Sequence, residues 1–458
     1  MAEAPQSRET SEGPPPFESQ VDNRLRRELG VGDVSLFAIS GICGVRWIAP
    51  AARAGPGSLL LWALAAVCFA IPLAIAIAAL GAKYPRAGGF YWWTRMTYGP
   101  WHGFLCFWTY WIGIAFWFPS AAMFYMSMTL SALGLPAESR LWIVIASLFA
   151  LWIALGANII GINIGKWTEN VGALACWALV LLLGAAAAIV LTRRGSATSF
   201  HIAPRLNWST LGFWATIAYA MSGMELVALM GGEIRSPAVT IPRAAAIASA
   251  FATLFYIGAT AAVLTVLDPQ RVNELTGLGD AAARAGSLLH ARWLEPLIAL
   301  FVLISAVGQF GGIGAATSRL PFALGVDRLL PAAFARVHPR WRTPYISMLA
   351  LGAFSSAILI AIQFGDTVRA AYDTLVSLMV IAGFAPYAYM FGSAWRAGKR
   401  ISAASGLAVT VVAILCAVVP SGSIGNRWLF ESKLAAGTAI IVVSARALYN
   451  RGAALYSV

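Results

Sequence analysis

From about residue 33 onward the chain is a succession of apolar runs, each as long as a lipid bilayer's hydrocarbon core is thick. A helix that crosses a bilayer needs about 20 mostly apolar residues. Hydropathy marks about twelve such segments, near 33–54, 58–81, 102–130, 141–163, 167–191, 210–233, 242–267, 293–318, 344–363, 370–394, 402–420 and 430–449. Hydrocarbon offers no partner to backbone N–H and C=O groups, so runs of this length must be helices. With 59% hydrophobic and 11% charged residues the composition is far from that of a soluble domain. The expected fold is an all-α polytopic membrane protein forming one continuous domain. Residues 1–30 are polar, carry the run from Pro14 to Pro16 and have no apolar signal core, so they read as a disordered cytoplasmic tail.

The formal charge is +13, and a basic balance raises the question of nucleic acid. The distribution answers it. Lys and Arg divide about two to one between alternate sets of connecting loops, the bias that sets membrane orientation. Both termini are expected in the cytoplasm of a multi-pass cell-membrane protein whose surroundings are the lipid bilayer, and nucleic acid is not needed. The five cysteines, Cys43, Cys68, Cys106, Cys176 and Cys416, lie within apolar segments without paired or metal spacing, and the four histidines are scattered. No metal, cofactor or enzyme chemistry is expected.

Two of the segments are interrupted. The first contains Ser40, Gly41, Ile42, Cys43 and Gly44; the sixth contains YAMSGMELVALMGGE, residues 219–233, with Ser222 and Gly223 near its middle and Gly231 and Gly232 at its end. A glycine in a membrane helix also serves plain close packing. Position favours the other reading. Four intact segments separate the two, so each opens a unit of five, and an odd-numbered unit repeated along a chain enters the membrane upside down. That is the pattern of an inverted-repeat transporter with its substrate at the midplane. Broken helices offer N–H groups on one side and C=O groups on the other, and a zwitterionic amino acid uses both.

Longer stretches strengthen this: LGVGDVSLFAISGICG at 29–44, GAKYPRAGGFYWWTRMTYGPWHGFLCFWTYW at 81–111, SGMELVALMGGEIRSPAVTIPRA at 222–244 and TSRLPFALGVDRLLPAAFARVHPRWRTP at 317–344. The chain resembles the amino acid/polyamine/organocation permeases. The resemblance implies a LeuT-like core of ten helices over 31–400 in a 5+5 inverted repeat, discontinuous helices 1 and 6, two further helices within 401–458, and alternating access. It implies that residues 40–44 meet the substrate carboxylate, and that the break of Ala220, Met221, Ser222, Gly223 and Met224 meets its amine. Tyr219 falls where relatives place a closing aromatic, with ordinary packing as the other reading. Glu225 falls where some relatives carry an acidic residue. Two departures stand out: Arg46 and Trp47 follow the first break where relatives carry an apolar pair, and Cys176 replaces a lysine found in proton-coupled relatives.

Arg46 is the anomaly, a permanent charge about 20 Å into the first segment at 1.5 Å per residue. Three readings are open: an ion pair with Glu225 or Asp373, a carboxylate-attracting group facing the pathway, or a side chain reaching the outer headgroups. The first two leave fixed positive charge near the pathway, which favours a neutral or acidic amino acid over the alternative of a polyamine or cationic amino acid. Glu225 is an intramembrane carboxylate, by default a pathway, proton or ion-pair group. Tyr110, Trp111 and Gln309 are further pathway candidates, each with a packing or helix-bonding alternative. Residues 271–289 read as an amphipathic helix over the vestibule or an inert surface helix. Substrate exchange and proton coupling are both open as transport modes.

Two other classes are weighed. An intramembrane aspartyl protease would pair the G-x-G-D ending at Asp33 with the Y-D of Tyr372 and Asp373, but the two motifs occur in reverse chain order and Asp33 also suits a helix cap. A non-transporting sensor with a transporter fold is the third.

Overall fold

The computed structural model describes residues 29–454 except 85–87, 138, 161, 201–207, 230–233, 327–328, 342, 365–366 and 421–423. The described residues form α1 (Val31–Ile42), α2 (Ile48–Arg53), α3 (Ser58–Ala65), α4 (Ile71–Lys83), α5 (Phe90–Tyr98), α6 (Pro100–Ala132), α7 (Arg140–Ile160), α8 (Ile162–Arg194), α9 (Trp208–Ala220), α10 (Leu226–Leu229), α11 (Pro237–Val266), α12 (Gly277–Leu289), α13 (Leu294–Val326), α14 (Tyr345–Ile362), α15 (Val368–Arg396), α16 (Arg400–Ala417) and α17 (Arg427–Ala454). Eleven stretches, counting α1–α2 and α3–α4 as one each, are long and apolar enough to cross a membrane. Between α8 and α11 the chain crosses once more in two pieces, α9 and α10. The architecture is the expected one, an all-α bundle whose first and sixth crossings are discontinuous.

Two prolines inside these helices are accommodated by serines from their neighbours. Pro72 has no N–H for the Cys68 carbonyl, the helix widens to a π turn over Ala66–Ala70, and Ser405 of α16 donates to the Cys68 oxygen at 2.8 Å. Pro119 likewise frees the Ala115 carbonyl in α6, and Ser355 of α14 donates to it at 3.1 Å. These bonds fix helix register without water. The α16 and α17 helices flank the core: α16 packs on α9 and α15, and Trp108 of α6 donates its indole N–H to the Ile441 carbonyl of α17 at 3.1 Å.

Both ends of the bundle are closed among the described residues. At the end where α1 begins, Leu29 pairs with Ile234 in an isolated bridge, and a Cβ at Gly89 would stand 2.7 Å from the Ala228 carbonyl oxygen of α10. Asp33 takes the Gly30 N–H at 3.1 Å there, a helix cap exposed at the bundle's end. At the opposite end α12 lies with Leu278, Ala281, Ala282 and Ala285 buried, a helix over part of the 271–289 stretch. Asp373 sits at this second end, a whole membrane crossing from Asp33, so the two aspartates of the protease reading are not brought together.

Candidate functional site

The site starts from the failure of α1 at Ile42. Cys43 takes φ −74° and ψ 84°, an inverse γ-turn closed by the Gly44 N–H on the Ile42 carbonyl at 2.9 Å. Tyr256 of α11 completes the turn: its hydroxyl accepts the Gly44 N–H at 3.0 Å and donates to the Ile42 carbonyl at 2.6 Å. The ring is held by stacking on Trp62 at 4.2 Å between centroids. Beyond the turn the Val45 and Arg46 N–H groups find no acceptor among the described residues, and a 3-10 turn leads into α2.

The second break spans residues 221–225 between α9 and α10. Gly223 has φ +116°, a conformation that favours glycine. It also lies against the first break: a Cβ at Gly223 would stand 2.7 Å from the Gly41 carbonyl oxygen, and one at Gly41 would stand 3.2 Å from the Gly223 oxygen. The two unwound stretches therefore meet backbone to backbone. Glu225, 2% exposed, serves its own break by accepting the Gly223 N–H at 2.8 Å and the Tyr110 hydroxyl at 2.9 Å, with Tyr387 also bonded to the carboxylate. Ser222 turns its hydroxyl back onto the Tyr219 carbonyl at 2.6 Å.

Tyr219 packs edge-on against Trp47 at 5.9 Å and Phe384 at 5.5 Å. Its ring fills the notch left by Gly383 of α15, where any Cβ would meet it at 2.6 Å. Ser40, Cys43, Cys176, Ser305 and Gln309 line a cavity of about 10 Å³ beside the first break, room for about one water. Gln309 accepts the Tyr125 hydroxyl at 2.6 Å, so it both bonds α6 and faces that cavity.

Arg46 is fully buried and forms no ion pair with Glu225, Asp373 or any other carboxylate among the described residues. The headgroup reading fails with the ion-pair reading, because no part of the side chain reaches the surface. Its Nη1 donates to Ser120 at 2.7 Å, its Nη2 points at the Met379 sulfur at 3.1 Å, and the guanidinium lies over Trp47 at 3.9 Å and near Trp117 at 5.4 Å. Aromatic faces attract a cation through the ring quadrupole. They carry no net charge to neutralise it.

Two candidates lie elsewhere. Trp111 stacks with Trp108 at 5.6 Å and meets Phe354 of α14 at 5.8 Å; it packs away from the breaks. Asp373 belongs to the closed end, where Glu274 bridges Arg53 at 3.2 Å and Arg369 at 3.6 Å. Burial and the Asp373 carboxyl hydrogen-bonded to it push the Glu274 carboxyl well above the usual carboxylate range, against the pull of Arg53. Sequence reading missed Tyr256, Ser120 and Glu274. The first two carried no signal that separates them from packing residues; Glu274, an acid between two basic residues' segments near a membrane end, carried a faint one.

Two antiparallel five-helix units that place their broken first helices in backbone contact at the centre of a lipid-facing bundle define a secondary transporter of the LeuT-like class. Residues 29–427 match the family model described as amino acid permease, and the chain belongs to that family: it is an amino acid transporter. It is 30% identical over 346 residues to an uncharacterized transporter of Mycobacterium tuberculosis, covering 74% of each chain. It is 28% identical over 354 residues to the serine/threonine exchanger SteT of Bacillus subtilis, covering 71% of this chain and 75% of that one. Among solved structures, MhsT in complex with L-phenylalanine superposes with a TM-score of 0.59 at 16% identity, covering 92% of this chain and all of the other, a likeness of fold.

Proposed function

We propose that the chain exchanges amino acids across the cell membrane by alternating access, with both termini in the cytoplasm. The substrate carboxylate lies on the first break, at residues 40–44 and the N–H groups that follow, and the amine lies on the carbonyls of residues 220–224. Tyr219 closes over it, backed by Trp47 and Phe384. Tyr110 and Glu225 act by holding the second break open, and Gln309 lines the polar space on the opposite side of the first. The observation that carries this reading is the backbone contact of Gly41 with Gly223, which brings the two breaks together. Cys176 in place of a lysine, and exchange in the relative SteT, support exchange over proton coupling.

Reconstituted vesicles test it. Efflux of a preloaded labelled amino acid should be slow into empty buffer and accelerate when unlabelled amino acid is added outside. Rapid efflux into empty buffer, insensitive to added substrate, would rule out exchange, and steep stimulation by an acid-outside gradient would replace it with proton coupling.

A further inference from the structure

Among the described residues, the core of the bundle holds a cation that no carboxylate pairs with. Arg46 is 0% exposed, its nearest partners are a hydroxyl, a thioether and two indole faces, and its Nε has no hydrogen-bond partner. The Tyr372 hydroxyl, 2% exposed on α15 and electrostatically coupled to Arg46, is also without a partner. The buried carboxylates described are engaged elsewhere: Glu225 with Tyr110 and the Gly223 N–H, Glu274 with Arg53 and Arg369, Asp373 with Glu274. A charge away from water without a counter-charge is costly, and a buried donor without a partner calls for an acceptor.

We infer that Arg46 receives the side-chain carboxylate of an acidic amino acid, so that the transported species is a dicarboxylic amino acid. The inference rests on the proposed placement of the substrate's α-groups on the two breaks. The guanidinium is not at the point where the breaks touch. It extends toward α6, where Ser120 holds one end of its fork, and toward α15, where Met379 and Tyr372 lie. A substrate whose α-carboxylate takes the break's own N–H groups directs its side chain into that wall. Trp47 and Trp117 fix the guanidinium plane without neutralising it, which leaves its donors for a planar carboxylate. A cationic side chain in the same place meets like charge. An uncharged one gives the cation no counter-charge.

The test uses the full chain in vesicles with labelled L-glutamate, L-aspartate, L-glutamine and L-serine. Glutamate and aspartate should exchange with an apparent affinity about 10- to 100-fold above that of glutamine, the range of a hydrogen bond to a charged group. Arg46→Gln should abolish that preference, so that glutamate and aspartate lose more affinity than glutamine and serine do, and Arg46→Lys should keep the preference at reduced affinity. Thermal shift of the wild-type chain by glutamate against glutamine gives the same ranking without any variant, so misfolding of Arg46→Gln does not block a result. Exchange of neutral or cationic amino acids without an acidic preference overturns the inference and leaves amino acid exchange standing. Equal loss of all substrates in a folded Arg46→Gln also overturns it, because the guanidinium then serves the common α-carboxylate. Absence of exchange with every amino acid removes the reading beneath it as well.

Discussion

The two breaks occupy equivalent places in the two repeats and are held open by opposite means. The first is stabilised from outside itself: Tyr256, 212 residues from Gly44, supplies both an acceptor and a donor to the interrupted ladder. The second carries a support of its own, Glu225, two residues beyond the Gly223 whose N–H it takes, and that carboxyl in turn accepts the Tyr110 hydroxyl of α6. A helix end in a membrane must satisfy its orphan groups somehow. Both breaks are thus tied to the opposite repeat, the first through the Tyr256 hydroxyl placed directly on its backbone and the second through the Tyr110 hydroxyl on its own Glu225. The contrast extends to the side chains that follow, since the first break is followed by a guanidinium with no carboxylate partner and the second by a carboxyl group engaged by the Tyr110 hydroxyl and the Gly223 N–H.

Attacking the contact between the breaks should have the largest effect. Gly223→Ala puts a Cβ 2.7 Å from the Gly41 oxygen at a φ of +116°, a backbone conformation that costs an alanine about 1–3 kcal/mol before the clash is counted. Exchange in vesicles should fall below about a tenth of wild type, with the comparison broken if it does not. Next, Glu225→Gln places an amide NH₂ against the Tyr110 hydroxyl or the Gly223 N–H, and Tyr256→Phe strips both partners from the first break. Each leaves a buried group unsatisfied at a cost of about 1–3 kcal/mol, read as lowered thermal stability. If the two breaks are held independently of each other, the two losses add in the double variant. If they do not add, the breaks are one unit.

A smaller effect is expected at the closed far end. Because the folded state holds the Glu274 proton above the unfolded value, the contribution of that proton is complete at low pH and is lost as pH rises through the raised pKa. The thermal midpoint should therefore decline on going from about the ordinary glutamate pKa to neutral pH, and Glu274→Gln should flatten that slope. Smallest of all, Ser120→Ala removes one bond to Arg46 and should weaken substrate affinity by about threefold to tenfold, visible in exchange half-saturation.

Much of this layout is legible in the amino-acid sequence, and the exceptions have physical causes. Apolar length determines the crossings, and small residues in the middle of the first and sixth mark the breaks because nothing else in a hydrocarbon environment needs them there. Arg46 is conspicuous as an anomaly, yet its surroundings are not, because a search for a counter-charge looks for carboxylates and passes over the adjacent Trp47 face that takes the cation instead. Tyr256 lies in an apolar run where one tyrosine reads equally well as packing. Trp111 was misleading for a related reason: α6 is aromatic on every side, so spacing cannot say which face meets the breaks. Asp373 reads in the sequence as one of two acids that could pair with Arg46; the loop that carries Glu274 across the end of the bundle decides its company, and only the fold reveals that.

An experimental structure of the chain with bound L-glutamate is the most direct measurement. The account predicts a ligand seated where residues 40–46 and 219–225 converge, its α-carboxylate at about 3 Å from N–H groups of the first break and its side chain reaching Arg46. A continuous helix through either stretch, or a ligand bound away from their meeting point, would contradict it.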